Sequence, residues 1–283
     1  MFPRTTVGGV SLSRMIAGTN WFLGYSHCTQ AKSRLISDVV TDHNKIADIL
    51  EVFFRAGVDT VMGPSEREPL IDALRETEHR TGVKAMFVST PTLPFTKQTA
   101  ADGFDLGEIE RILDRETAIG ATLCMPHTST TDAMVDRITR EVRHMAPVCR
   151  MMRERGLIPG LSTHLPETIV YSDESGLDVE TYIAMYNLMG FLMPLEVDWT
   201  QRIIHNAKKP VMTIKPMAAG QVRPLQGLAF SWSTLRPCDM VTVGTMTPDE
   251  ARELIDLSLS LLEGHKSDID LQETRSKASV KAT

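Results

Sequence analysis

Two histidines stand where an apolar strand gives way to a helix. In Gly156-Leu-Ile-Pro-Gly-Leu-Ser-Thr-His-Leu-Pro-Glu167 a glycine ends a charged helix and a short strand follows. His164 sits at the end of that strand, and Pro166 and Glu167 open the next helix, where proline and an acid both suit the first turn. His127 holds the same place in the preceding unit, Leu123-Cys-Met-Pro-His-Thr. Imidazoles at the ends of neighbouring strands can relay protons, since their pKa lies near neutrality, or ligate zinc, manganese or iron. A metal would also need a carboxylate, with Asp59, Glu167 and Glu196 as candidates beside His127 and His164. The plainer reading makes each histidine a strand-end cap bonded to backbone.

Further polar residues fall at comparable positions. Strand ends read along the chain supply Asn20, Asp59, Thr90, His127, His164, Asn187, Lys215 and Thr245. Asp59 is costly to bury unless paired, and Lys215 is the expected partner across the mouth. A desolvated lysine can instead act as a base or an amine nucleophile. Asn20-Trp-Phe-Leu-Gly-Tyr-Ser-His27 is aromatic and glycine-containing, so Trp21, Tyr25 and His27 suit a lid or a stacking wall. Gly244-Thr245 precedes a helix whose backbone N–H groups can receive a phosphate.

These residues need a scaffold that brings many strand ends together. The 283 residues are 42% hydrophobic and 23% charged, enough for one large core. A net charge of −6 and no basic run argue against a nucleic-acid face. No signal-like or membrane-length apolar segment is seen, and four scattered cysteines fit reduced thiols, so a cytoplasmic protein is expected. Eight strands are expected near residues 13–19, 58–62, 83–89, 121–125, 157–163, 178–187, 211–215 and 240–244. Helices alternate with them at intervals of roughly 30 residues. A long helix is expected from the Thr128–Asp132 region to Arg155, interrupted near Pro147. The pattern predicts a single (β/α)8 TIM barrel over residues 1–264 with a polar, mobile tail over 265–283. Such barrels place their active sites at the C-terminal ends of the strands.

The pieces Gly160-Leu-Ser-Thr-His-Leu-Pro-Glu, Ala184-Met-Tyr-Asn-Leu, Ile214-Lys-Pro-Met-Ala-Ala-Gly and Val241-Thr-Val-Gly-Thr-Met-Thr-Pro-Asp-Glu resemble the aldo/keto reductase barrel, in order. Ala56-Gly-Val-Asp-Thr before Ser65-Glu resembles its second strand and following helix. The resemblance implies carbonyl reduction with NADPH by an aspartate, a tyrosine, a lysine and a histidine. Asp59 and His127 fall on the aspartate and histidine positions. The tyrosine is absent after Asp59, and Ser89-Thr90-Pro91 stands where the lysine would end strand three. Ile183 replaces the expected glutamine, and Leu254 the expected asparagine.

On this incomplete tetrad the leading expectation is a non-redox enzyme, an isomerase, lyase or hydrolase, acting on a small carbonyl- or hydroxyl-rich substrate such as a sugar derivative. Its catalytic set is Asp59, His127, His164, Lys215, Tyr25 and His27, and Asn20, Trp21, Thr90 and Asn187 contact substrate. The cofactor is unknown, with a divalent metal as one option. The alternative is an NAD(P)H-dependent carbonyl reductase using Tyr25 or His127 as acid, with Gly244 and Thr245 on the cofactor. A third reading is an inactive barrel acting as a binding or assembly subunit. Small-molecule substrates, no nucleic acid, no membrane and a homo-oligomer as one option complete the expectations.

Overall fold

The computed structural model describes residues 1–40, 42–95, 105–269, 271, 272, 274 and 277. The chain begins with an antiparallel hairpin of β1 (Arg4–Val7) and β2 (Val10–Ser13), turned at Gly8 and Gly9, which both have positive φ. The parallel strands are β3 (Met15–Gly18), β4 (Thr60–Gly63), β5 (Met86–Ser89), β6 (Leu123–Cys124), β9 (Ile158–Pro159), β10 (Leu161–Ser162), β11 (Tyr182–Met185), β12 (Val211–Ile214) and β13 (Met240–Val243). β9 and β10 are one stave broken at Gly160, where an added Cβ would lie 2.9 Å from the Thr181 carbonyl oxygen. β9 pairs with β6 and β10 with β11, so the hydrogen-bonded order returns to its start and the barrel closes on eight staves. The expected (β/α)8 barrel is what forms.

Alternation along each strand sorts the core into two layers. Ile16, Met62, Val88, Leu123, Ile183, Met212 and Met240 point inward, and Val7 and Leu12 of the hairpin join them from below. Ala17, Val61, Phe87, Tyr182, Val211 and Val241 point outward against the helices. The principal helices are α1 (Gln30–Val39), α2 (His43–Arg55), α3 (Glu68–Thr81), α4 (Leu106–Ala118), α5 (Thr128–Met134), α6 (Met145–Glu154), α7 (Glu167–Ser175), α8 (Val197–Asn206), α9 (Pro224–Thr234) and α10 (Pro248–Glu263). α2 shows how sequence produces them. Asp42 caps it by accepting from the Asn44 and Lys45 amides, and Ile46, Ile49, Leu50 and Phe53 bury one stripe.

The long helix expected up to Arg155 is not formed. α5 ends at Met134, and a small hairpin of β7 (Val135–Asp136) and β8 (Glu141–Val142) intervenes before α6. The Asp136 carboxylate takes the Ile138 and Thr139 amides, and Arg140 and His144 turn the chain at φ 57° and 60°. Pro147 therefore lies in the first turn of a new helix, where it costs no hydrogen bond. Arg67 stands at the N-cap of α3, and Ser65 two residues earlier donates 2.6 Å to Glu116, a fully buried carboxylate.

Of the tail, residues 265–269 lie against α10. The Asp268 amide donates 3.0 Å to the Asp256 carboxylate, and Ile269 packs on the core. The expected mobility concerns, for the rest, residues mostly outside those described. Among the described residues no helix is long and apolar enough to cross a membrane, and all four cysteines are free thiols.

Candidate active site

A cavity of about 1140 Å³ opens at the C-terminal ends of the strands. Its floor is the topmost inward layer, Met62, Ser162, Ile183, Ile214 and Thr242. Of the residues singled out by type and position, Asn20, Trp21, Tyr25, His27, Thr90, His127, His164, Lys215 and Gly244 all line it.

Three do not. Asp59 precedes β4, so it stands at the opposite, N-terminal end of the barrel, 2.9 Å from Arg4 of the hairpin. The expected Asp59–Lys215 pair is therefore corrected, and the side chain that this stave presents to the cavity is Met62. Asp59 stands at the start of the strand expected over 58–62, and counting it among the strand ends assigned a residue of the opposite end of the barrel to the mouth. Asn187 is fully buried and closes its own loop, accepting from the Phe191 amide (2.8 Å) and donating to the Phe191 carbonyl (3.0 Å). Thr245 is buried beneath the mouth, and its hydroxyl has no partner among the described residues.

The first loop forms a wall folded across the mouth. Leu23 and Tyr25 amides bond back to Thr19 and Asn20, and Cys28 Sγ donates 3.4 Å to the Ala219 carbonyl of the facing loop. The Trp21 indole lies over two glycines, since a Cβ added to Gly244 or Gly220 would meet it at 3.7 or 3.9 Å. The Lys32 ammonium lies over the indole, 5.1 Å from the ring centre. Tyr25 is half-exposed, and its Oη accepts a 2.5 Å hydrogen bond from Arg67, whose guanidinium also lies 5.7 Å from the ring centre. Four of the non-glycine residues with positive φ, His27, Lys215, Ala218 and Ala219, sit in this rim. Left-handed backbone at such residues costs of order 1–2 kcal/mol each, so the rim is a place where conformation is held against local preference.

The imidazoles are kept neutral. Burial pushes His27 down to about 4, with the charges of Lys215 and His164 adding to it. Burial also lowers His127, against the pull of Glu66 and Asp132, and lowers His164, with Lys215 contributing. The Ser129 amide donates to His127 Nδ1 (3.3 Å), which leaves the proton on Nε2. Burial alone pushes the Lys215 ammonium down to about 8.

Two residues that sequence reasoning passed over organise this set. Asp132 was read only as a cap candidate. Its carboxylate accepts from the Thr128 hydroxyl (2.8 Å), the Thr163 hydroxyl (2.6 Å) and the His164 amide (3.2 Å), tying the two histidine-bearing segments together. Only the Thr128 to Asp132 spacing of four was legible beforehand, as neighbours on one helix face. Arg67 lay inside the Ser65-Glu-Arg-Glu motif with nothing to mark it as a partner for Tyr25. The phosphate-binding role expected after Gly244-Thr245 meets an obstacle in α10. Thr247 caps the Glu250 amide and the Glu250 carboxylate takes the Met246 amide (2.7 Å), so these N–H groups are already spent. As for a metal, no group of three or more His, Cys, Asp or Glu among the described residues is placed to hold one.

No protein-family profile matches the chain, nor does any curated sequence. Solved structures do match. One is a Pseudomonas aeruginosa protein assigned provisionally to the aldo-keto reductases, with 16% identity, a TM-score of 0.63, and 92% and 95% of the two chains covered. An aldo/keto reductase from Brucella melitensis matches at 11% identity and TM-score 0.58 over 96% and 95%. An aldo-keto reductase from a deep-sea metagenome of the Medee basin matches at 9% and 0.57 over 95% and 97%. These neighbours are oxidoreductases, which corrects the leading expectation of an isomerase, lyase or hydrolase in favour of its reductase alternative. The chain has the (β/α)8 barrel fold of the aldo-keto reductases.

Proposed function

We propose that this protein reduces the carbonyl group of a small molecule with a reduced nicotinamide dinucleotide, Tyr25 supplying the proton. The observation that carries this reading is the Tyr25–Arg67 hydrogen bond on the wall of a cavity in an aldo-keto reductase barrel. It offers a tyrosine acid and an adjacent cation where the chain's second and third staves lack them.

The cavity fits a dinucleotide on three counts. Its volume exceeds what a small substrate needs. Gly220 and Gly244 form a cradle that side chains would fill, with the Trp21 indole over it for stacking. Lys32 and Arg223 line the same space as cations for a pyrophosphate. When bound there, the nicotinamide supplies the hydride that adds to the carbonyl carbon.

The remaining work belongs to side chains. Arg67 donates to Tyr25 Oη, so the phenolic proton stays free to pass to the carbonyl oxygen as that oxygen gains electron density. The guanidinium then stabilises the phenolate left behind, and half-exposed Tyr25 recovers its proton from water. Neutral His127, with its proton on Nε2, is a hydrogen-bond donor to the same oxygen rather than the acid. Trp21 and the first loop exclude water from the cavity floor.

The test is oxidation of NADH or NADPH by a panel of aldehydes, ketones and 2-oxo acids, followed by loss of reduced-nicotinamide absorbance. Tyr25→Phe is expected to lower kcat/KM by about 100-fold or more while nucleotide binding, read by Trp fluorescence quenching, is kept. Turnover by Tyr25→Phe at the wild-type rate would remove the tyrosine from this role.

A further inference from the structure

Lys215 is a partly buried cation of the cavity with no counter-ion among the described residues. It ends β12 at φ 65°, a conformation fixed by a turn in which its carbonyl accepts from the Ala218 amide (2.9 Å). Its ammonium is half-buried against the cavity and makes no ion pair or hydrogen bond with any described residue. The carboxylates near the mouth are committed elsewhere. Glu66 pairs with Arg115 (3.3 Å), Asp132 is held by two threonine hydroxyls and a backbone amide, and Glu250 takes the Met246 amide. Glu253 stands exposed on the outer rim. The imidazoles of His27, His164 and His127 line the same cavity, and each feels the charge of Lys215. Neutral rings can donate hydrogen bonds but cannot balance a charge. A desolvated ammonium without a counter-ion is unfavourable, and this one is held in place by strained backbone.

We propose that Lys215 is an anion-binding residue and that the substrate carries a carboxylate or a phosphate ester close to its reducible carbonyl. The inference rests on the reductase reading above, which leaves the nature of the carbonyl compound open. The unbalanced ammonium supplies the charge, and the N–H groups of His164 and His27 supply directional donors around the same anion. An acidic substrate would also be steered toward a rim carrying Arg67, Lys32 and Arg223.

The test uses binding as well as turnover. Oxamate, an unreactive mimic of a 2-oxo acid, and its neutral counterpart oxamide are titrated into the protein by calorimetry, with inorganic phosphate as the second anion. Oxamate or phosphate is expected to bind at least tenfold more tightly than oxamide, and whichever does so identifies the anion. The preference should vanish in Lys215→Met and persist in Lys215→Arg, both checked for folding by thermal melts. ADP, a probe for the nucleotide alone, should bind Lys215→Met as it binds the wild type. Equal binding of all three probes, a preference unchanged in Lys215→Met, or loss of ADP binding in place of oxamate or phosphate binding would overturn the proposal. Wild-type turnover of neutral aldehydes as efficient as that of 2-oxo acids and sugar phosphates would overturn it too, while leaving the reductase reading intact. If instead neither NADH nor NADPH binds or is oxidised, the reductase reading fails, and a Lys215-dependent anion preference would stand without it.

Discussion

The two ends of the barrel treat charge in opposite ways. At the N-terminal end every buried charge is answered. Asp239, fully buried before β13, accepts from the Val211 amide (2.8 Å) and from both the backbone and the guanidinium of Arg236. Arg14 donates to the Asp239 and Arg236 carbonyls and lies 5.2 Å over the Trp232 ring. Asp59 meets Arg4, and the hairpin's Val7 and Leu12 seal the floor. At the C-terminal end Lys215 is unanswered, three imidazoles are held neutral, and the Thr19, Thr242 and Thr245 hydroxyls lack partners among the described residues. The floor is built for stability and the mouth for a ligand. Buried groups with their hydrogen bonds complete hold a fold together, whereas incomplete ones gain only when something binds.

Substitutions at the two ends sharpen or break this contrast. The largest expected effect is at the floor. Asp239→Ala leaves the Val211 amide unpaired and the half-buried Arg236 guanidinium with only the Ala207 and Lys209 carbonyls, and should cost about 3–5 kcal/mol of stability in denaturant melts. Activity per folded molecule should stay unchanged, so a specific loss of activity would break the division. Next comes Tyr25→Phe, at about 100-fold in kcat/KM or roughly 2.7 kcal/mol of barrel-mouth chemistry, with an unchanged melting temperature.

Lys215→Met should do the reverse of Asp239→Ala. The folded lysine titrates at about 8 and its unfolded counterpart at 10.5, so burial penalises the native state fully below pH 8. That penalty fades as pH rises from 8 to 10.5, because the folded state has by then already lost the proton. Lys215→Met is therefore expected to melt higher than the wild type at pH 7, with the advantage shrinking toward pH 10. A lower melting temperature at pH 7 would mean that Lys215 is a structural cation after all. In the wild type, affinity for an anionic substrate should fall as pH rises through about 8. The smallest effect is expected for Asp132→Asn. It keeps the shape of the bracket but weakens the acceptor, so kcat/KM should drop by about tenfold, and the His164 and His127 pKa values, followed by NMR titration, should move further down.

Much of this was legible in the chain, and unevenly so. Helices closed by Gly82, Gly120 and Gly264 and short apolar strands between them pointed to the eight staves, because caps and periodicity are local properties. The rim histidines were legible too, since each ends a strand and begins a helix. The hairpins at Arg4–Ser13 and Val135–Val142 were not, being short segments with weak alternation. Neither was the pairing of Tyr25, already named as the acid of the reductase alternative, with Arg67, which the first loop brings together from 42 residues apart.

Composition and local pattern alone determined that this is one barrel with a polar mouth, because hydrophobic periodicity, helix stops and strand ends are written within a few residues of each other. Only the tertiary structure decided which polar groups meet. Asp59, just before its strand, meets Arg4 at the far end of the barrel, and a turn at positive φ left Lys215 without a carboxylate partner among the described residues. Strand register and loop path, not residue type, set those distances, and electrostatics depends on distance above all.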